Sequence, residues 1–168
     1  MNHPRRPTIM DVTILLGSSS DLPIAEKCTK ILDHFSVTYQ LRVASAHRSP
    51  VFVEEIINQA EADGCQVFIA MAGLAAALPG AVAALTTKPV IGVPCGGRVP
   101  YDSLLSIVQL PPGVPAATVG VDRGDNAGCL ATQILALKNP EYAAALKQNK
   151  LDQVARVKAQ DAEVNGGK

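Results

Sequence analysis

Five short apolar runs recur along the chain: VTILL (12–16), TYQLRVA (38–44), QVFIAMA (66–72), PVIGVP (89–94) and AATVGV (116–121). Four are almost continuously apolar, the pattern of strands buried on both faces, and the more polar second run predicts a strand nearer a sheet edge. Helical spacing appears between them. Ile24, Cys28, Ile31, Leu32 and Phe35 fall on one face, with Ser20 or Asp21 placed to cap and Pro23 in the first turn. Phe52, Val53, Ile56, Ile57 and Ala60 form a second stripe, which Ser49 caps, Pro50 opens and Gly64 ends. Residues 101–110 and 126–137 supply two more helices. A weaker stripe of Tyr142, Leu146, Leu151 and Val154 predicts a last helix from Pro140 to about Val164.

Strands that alternate with helices cannot be joined by tight turns, so the order predicts a parallel sheet covered on both faces. The expected fold is a three-layer α/β sandwich on a five-stranded parallel sheet, of the flavodoxin or Rossmann-like kind, with a C-terminal helix extending from it. Residues 12–138 form the expected single catalytic domain. Residues 1–11 read as a loose tail, and 139–168 as a helix that packs on a neighbouring subunit and then frays.

The chain's 168 residues suffice for one domain with a real core. Hydrophobic residues make up 48% and charged residues only 18%, so part of the surface is expected to lie under another subunit. The formal net charge is zero and the Lys and Arg residues are scattered, which argues against a nucleic-acid or anionic-membrane partner and for a small molecule. Cys28, Cys65, Cys95 and Cys129 form no C-x-x-C pair, so they predict neither a zinc site nor a redox motif. Free thiols and the lack of a signal-like apolar stretch point to the cytoplasm.

The residues that a core does not need all follow strands: GSSSD (17–21), SAHRSP (45–50), AGLAAALPG (72–80), CGGRVPYDS (95–103) and DRGDNAG (122–128). A parallel sheet places the C-terminal ends of its strands along one edge, so these five loops are expected to meet in one crevice. GSSSD offers a glycine exit, hydroxyls and free helix-start amides, which suit a phosphate or sugar, though Ser20 and Asp21 could equally serve as caps. No Walker loop or G-x-G-x-x-G fingerprint accompanies it. Among the three histidines, His47 alone lies in a strand-end loop, where an imidazole can take and return a proton. Arg48 beside it has the fork that grips phosphate. Cys95 has no second histidine to serve as its base and reads as an inert thiol, and Asp122, Arg123 and Asp125 read as a charge-paired loop without chemistry.

LLGSSSD, RVASAHRSP, AGLAAALPGAVAALTTKPVIGVP and YDSLLSIVQLPPGVPAATVGVDRG closely resemble, in order and in register from about Val12 to Leu137, the small carboxyaminoimidazole ribonucleotide mutases of purine biosynthesis, also called the catalytic subunit of phosphoribosylaminoimidazole carboxylase. The resemblance implies movement of a carboxylate from the exocyclic nitrogen of the aminoimidazole ribonucleotide to a ring carbon through transient carbon dioxide, with no metal or other cofactor. It implies that His47 shuttles the proton and that Ser18, Ser20, Asp21 and Arg48 hold ribose and phosphate. Ser45 and Ala46 would shape the base pocket, and Gly73 and Leu74 would close over the carboxylate. It also implies a homo-octamer. Two places depart: Ala77 stands where the family usually carries histidine, and PCGGRVPYD (94–102) stands where it usually has a Ser-Lys-rich loop. Direct carboxylation of aminoimidazole ribonucleotide is the nearest alternative. A non-catalytic nucleotide-binding protein, or a carboxylase of another heteroaromatic nucleotide, is a more distant one.

Overall fold

A computed structural model describes residues 10–166. Its elements follow in the order β1 (Val12–Leu16), α1 (Leu22–His34), β2 (Tyr39–Val43), α2 (Pro50–Ala62), β3 (Val67–Ala72), α3 (Ala77–Leu85), β4 (Val90–Pro94), α4 (Pro100–Val108), β5 (Ala117–Thr118), α5 (Gly124–Ala136) and α6 (Pro140–Asn165). The five strands pair in parallel in the order β2-β1-β3-β4-β5. This is a three-layer, flavodoxin-like sandwich. Of the segment read as a tail, residues 1–9 lie outside the described residues. Asp11 is tied down: its carboxylate accepts hydrogen bonds from Thr38 at 2.9 Å, Gln66 at 2.9 Å and the Tyr142 hydroxyl of α6 at 3.3 Å.

The strands divide the core in two because successive side chains point to opposite faces. Val12, Ile14, Leu16, Val67, Ile69, Met71, Ile91 and Val93 face α1 and α5, where Cys28, Leu32, Ala127 and Ala131 meet them. Leu15, Phe68, Ala70 and Val90 face the other way, against Val53, Ile57, Val82 and Ile107 of α2, α3 and α4. β1 and β3 are buried along their whole length, whereas β2 is half exposed at the edge, as its polarity predicts. That edge position also explains Phe52. Placed on the buried stripe by spacing, it is 40% exposed, with the Arg42 guanidinium of the edge strand 5.6 Å from its ring centre.

Two elements differ from their sequence reading. β5 shrinks to two residues, continued by a single further bond from the Val119 amide to the Gly92 carbonyl at 3.2 Å. α3 begins inside the stretch read as a loop. Its sequence ALPGAVAAL has no polar face to mark a helix: Leu78, Pro79 and Val82 are buried, Leu85 is 40% exposed, and the rest are small. Across the α1/α5 crossing, a Cβ placed on Gly124 would come within 2.1 Å of the Ile24 carbonyl oxygen. The two helices touch backbone to backbone there.

α6 changes character along its length. Tyr142, Ala145 and Leu146 pack on the core, while residues 151–166 are exposed throughout, including Leu151, Val154 and Val157. Among the described residues no helix is long and apolar enough to cross a membrane. The four cysteines are free, and burial raises the Cys28 thiol to about 12.

Candidate functional site

In the order β2-β1-β3-β4-β5, chain connections turn opposite ways on either side of the β1/β3 boundary. A crevice opens where such a reversal falls, outside the carboxyl ends of the strands. The molecule has a cavity of about 490 Å³ there, lined by Gly17, Ser18, Ser20 and Asp21 after β1, Ser45 to Arg48 after β2, and Ala72 to Leu78 after β3. All nine residues that the sequence singled out line this one space.

Each loop is fixed by local bonding. The Gly17 amide donates to the Met71 carbonyl at 2.9 Å, which carries the chain out of β1 beside β3. The Ser18 hydroxyl accepts from the Ser20 amide at 3.3 Å and closes a tight 3₁₀ turn ahead of α1. Asp21 takes the N-cap position of α1 but forms no side-chain cap bond, so its carboxylate remains available to the cavity. After β2, Ser49 occupies the N-cap of α2, yet its hydroxyl serves the preceding turn: it accepts from the Ser45 amide at 3.0 Å and donates to the Ser45 carbonyl at 3.2 Å. That turn holds His47 exposed at the cavity wall. Arg48 reaches back and donates to the Gly17 carbonyl at 3.0 Å, linking the β2 and β1 loops.

The wall from β3 has no polar side chain. Ala72, Gly73, Leu74, Ala75, Ala76, Ala77 and Leu78 offer methyl groups, two leucines and backbone. A Cβ on Gly73 would lie 3.2 Å from the Cys95 carbonyl oxygen, so this chain crossing has little room for any side chain there. Leu74 adopts the left-handed conformation (φ 53°), rare for a branched side chain, and is 69% exposed at the rim. Backbone strain of this kind clusters at ligand clamps and active sites.

Asp21 is the buried acid of the cavity. Burial raises its pKa; the Cys95 thiol and the Ser18 and Ser20 groups hydrogen-bonded to it oppose that rise, and the nearby charge of Asp122 adds to it. The Cys95 thiol is itself pushed up, first by burial and then by the Asp21 carboxylate, which makes it a poor nucleophile and agrees with its reading as inert.

The five loops do not all line one space. Three form the cavity, and the loops after β4 and β5 stand behind it: the Cys95 amide donates to the Ala72 carbonyl at 2.8 Å, and the Gly96 amide to Asp122 Oδ1 at 2.8 Å. The reason is topological. β4 and β5 lie to one side of the switch point, not across it. Sequence reading brought the loop 72–80 to the crevice but named only Gly73 and Leu74 from it, because small residues such as Ala75 to Ala77 signal close packing and cavity walls equally.

A crevice bearing hydroxyls, an acid and an imidazole at the switch point of a parallel, doubly wound sheet lies where open α/β folds bind small molecules. Residues 11–156 match the family model described as AIR carboxylase, and the chain belongs to that family. It is 54% identical over 154 residues to the N5-carboxyaminoimidazole ribonucleotide mutase of Methanocaldococcus jannaschii, an alignment that spans 91% of this chain and 96% of that one. To the Thermotoga maritima protein of the same name it is 48% identical over 141 residues, covering 83% and 82%. The crystal structure of Treponema denticola PurE superposes with a TM-score of 0.82 at 30% identity, over 90% of this chain and 96% of that one.

Proposed function

We propose that the protein converts N5-carboxyaminoimidazole ribonucleotide to 4-carboxy-5-aminoimidazole ribonucleotide in purine biosynthesis, with no cofactor. The observation that carries this reading is the meeting of His47, Arg48, Asp21 and the serines in one cavity on a chain 54% identical to a named mutase. The aminoimidazole ring is an enamine-like nucleophile. Carbon dioxide released from its exocyclic nitrogen can therefore be recaptured at a ring carbon, provided that ring and gas stay together. The apolar wall from Ala72 to Leu78 suits that confinement, since it offers carbon dioxide no competing nucleophile.

The remaining work is proton traffic and anchoring. His47 moves the proton between the ring and the departing or arriving carboxylate. Ser18, Ser20, Asp21 and Arg48 hold ribose and phosphate, Ser45 and Ala46 frame the base, and Gly73 and Leu74 close over the carboxylate. The bond from Arg48 to the Gly17 carbonyl leaves the other guanidinium N–H groups for a phosphate.

One observation favours a second reading. Ala77, at the position where the resemblance implies a histidine, lines the cavity, so direct carboxylation of aminoimidazole ribonucleotide is retained as the alternative. A relative from Candida glabrata, 42% identical over 159 residues, is named phosphoribosylaminoimidazole carboxylase, and this chain spans 28% of its length. The test is product formation at neutral pH from the N-carboxylated nucleotide, and in parallel from aminoimidazole ribonucleotide with bicarbonate. Faster conversion of the first supports the mutase; preference for the second overturns it in favour of the carboxylase; silence with both overturns both. The working form is a homo-octamer in the cytoplasm, in which a neighbour covers the distal half of α6. A monomer in sedimentation equilibrium removes that assembly.

A further inference from the structure

Asp122 stands apart from the ion pairing of its loop. Next to it, Arg123 pairs with Asp125 at 2.9 Å, whereas Asp122 has no ion-pair partner among the described residues. Its backbone is left-handed (φ 57°). Its amide donates to the Pro94 carbonyl at 2.9 Å, its Oδ1 accepts from the Gly96 amide at 2.8 Å, and its carbonyl accepts from Lys27 Nζ at 3.3 Å. A Cβ on Gly96 would lie 2.8 Å from Asp122 Oδ2, so this contact admits glycine alone without a shift. The aspartate thus clamps the first residues after β4 from the far side of the sheet edge.

What it clamps is the backing of the cavity. Cys95, next to Gly96, donates its amide to the Ala72 carbonyl, crowds Gly73 and turns its thiol to the Val93 carbonyl at 3.8 Å. We infer that Asp122 is a positioning residue of the site: its carboxylate, bound to the Gly96 amide, holds the Cys95–Gly96 turn against Ala72 and Gly73 and so fixes the wall that receives the ribonucleotide. The inference rests on the reading of the cavity as the ribonucleotide site. The negative charge of Asp122 also contributes, after burial, to raising the Asp21 pKa. The groups facing Asp21 are the Cys95 thiol and Asp122; His47 and Arg48 line the same cavity from the β2 loop, and Lys27 reaches the Asp122 carbonyl.

Two measurements test this. In Asp122→Asn, which keeps an acceptor for the Gly96 amide, the carboxyl carbon of Asp21 is followed by nuclear magnetic resonance against pH, without substrate. Its midpoint falls relative to wild type because a neighbouring negative charge is gone, and an unchanged midpoint overturns the coupling. Separately, Asp122→Ala raises KM for the N-carboxylated nucleotide about tenfold or more, the loss of one charged hydrogen bond, while kcat changes far less. Asp122→Asn recovers most of that loss. Equal losses in the two variants, or no loss in either, overturn the positioning role. If wild type turns over neither substrate, the mutase reading falls, and the titration still decides the link between Asp122 and Asp21.

Discussion

The α1/α5 crossing gives the most direct test of how the fold serves the cavity. In Gly124→Ala the new methyl carbon would sit 2.1 Å from the Ile24 carbonyl oxygen, 3.1 Å from its carbonyl carbon and 3.3 Å from the Cys28 amide nitrogen. All three are backbone atoms inside a helix, so no side chain can swing aside. Relief to the shortest tolerable contact requires the helices to part by about 0.9 Å in an interior packed as densely as a crystal. Overpacking of this kind costs about 1–3 kcal/mol, and the backbone location puts this case at about 3 kcal/mol. The gain in helix propensity from alanine is small, because Gly124 is the first residue of α5. The functional consequence follows from what α1 carries. Its N-terminus begins with Ser18, Ser20 and Asp21 of the cavity wall, and a displacement of about 1 Å costs on the order of 100-fold in turnover. Urea unfolding gives the stability and steady-state kinetics the rate. Gly128→Ala is the graded comparison, because its Cβ meets the Cys28 carbonyl oxygen at the longer distance of 2.9 Å. Gly124→Ala with wild-type midpoint and turnover, or with a milder effect than Gly128→Ala, would refute the reasoning.

Three further outcomes are expected. His47→Asn leaves the urea midpoint within about 0.5 kcal/mol of wild type, since the residue is exposed, but lowers kcat by about 100-fold or more; full turnover would remove the proton shuttle. Arg48→Ala weakens binding of the phosphorylated nucleotide about tenfold or more and that of the dephosphorylated nucleoside far less, as calorimetry reads, and equal losses would count against a phosphate contact. Asp21→Asn stabilises the fold at neutral pH. Burial raises the Asp21 pKa above its ordinary 3.8, so ionisation costs the native state, fully so above the raised value and not at all below the ordinary one. The gain in Tm over wild type therefore disappears as pH falls through that window, and a gain that grows on acidification would reverse the assignment.

Much of the fold was legible because its strands are buried on both faces. VTILL and QVFIAMA have no polar position to blur their limits, and they begin and end within a residue of their expected bounds. The side chains that line the cavity were legible because chemistry-bearing residues in an apolar chain cluster at strand ends. What was illegible depends on partners distant in sequence. α3 carries no amphipathic signal, as it has no polar side chain even on its partly exposed side. β5 is short because only Ala117 and Thr118 find register with Ile91 and Gly92. Phe52 has the right spacing but the wrong strand beneath it. The role of Asp122 depends on Gly96, 26 positions earlier, and no local pattern records that.

The two halves of α6 have different sources of helicity. Residues 140–150 are held by Tyr142 and Leu146 on the core, but 151–165 rest on intrahelical bonds, and about 15 residues is marginal length for a helix in water. A segment of that kind reports on its surroundings. Its amides exchange with deuterium rapidly in a dilute single chain and slowly wherever a neighbouring copy lies over Leu151, Val154 and Val157. The protection of this last stretch is then a concentration-dependent gauge of assembly, read on the same molecules whose sheet amides, protected by the two cores, supply an internal clock that dilution leaves unchanged.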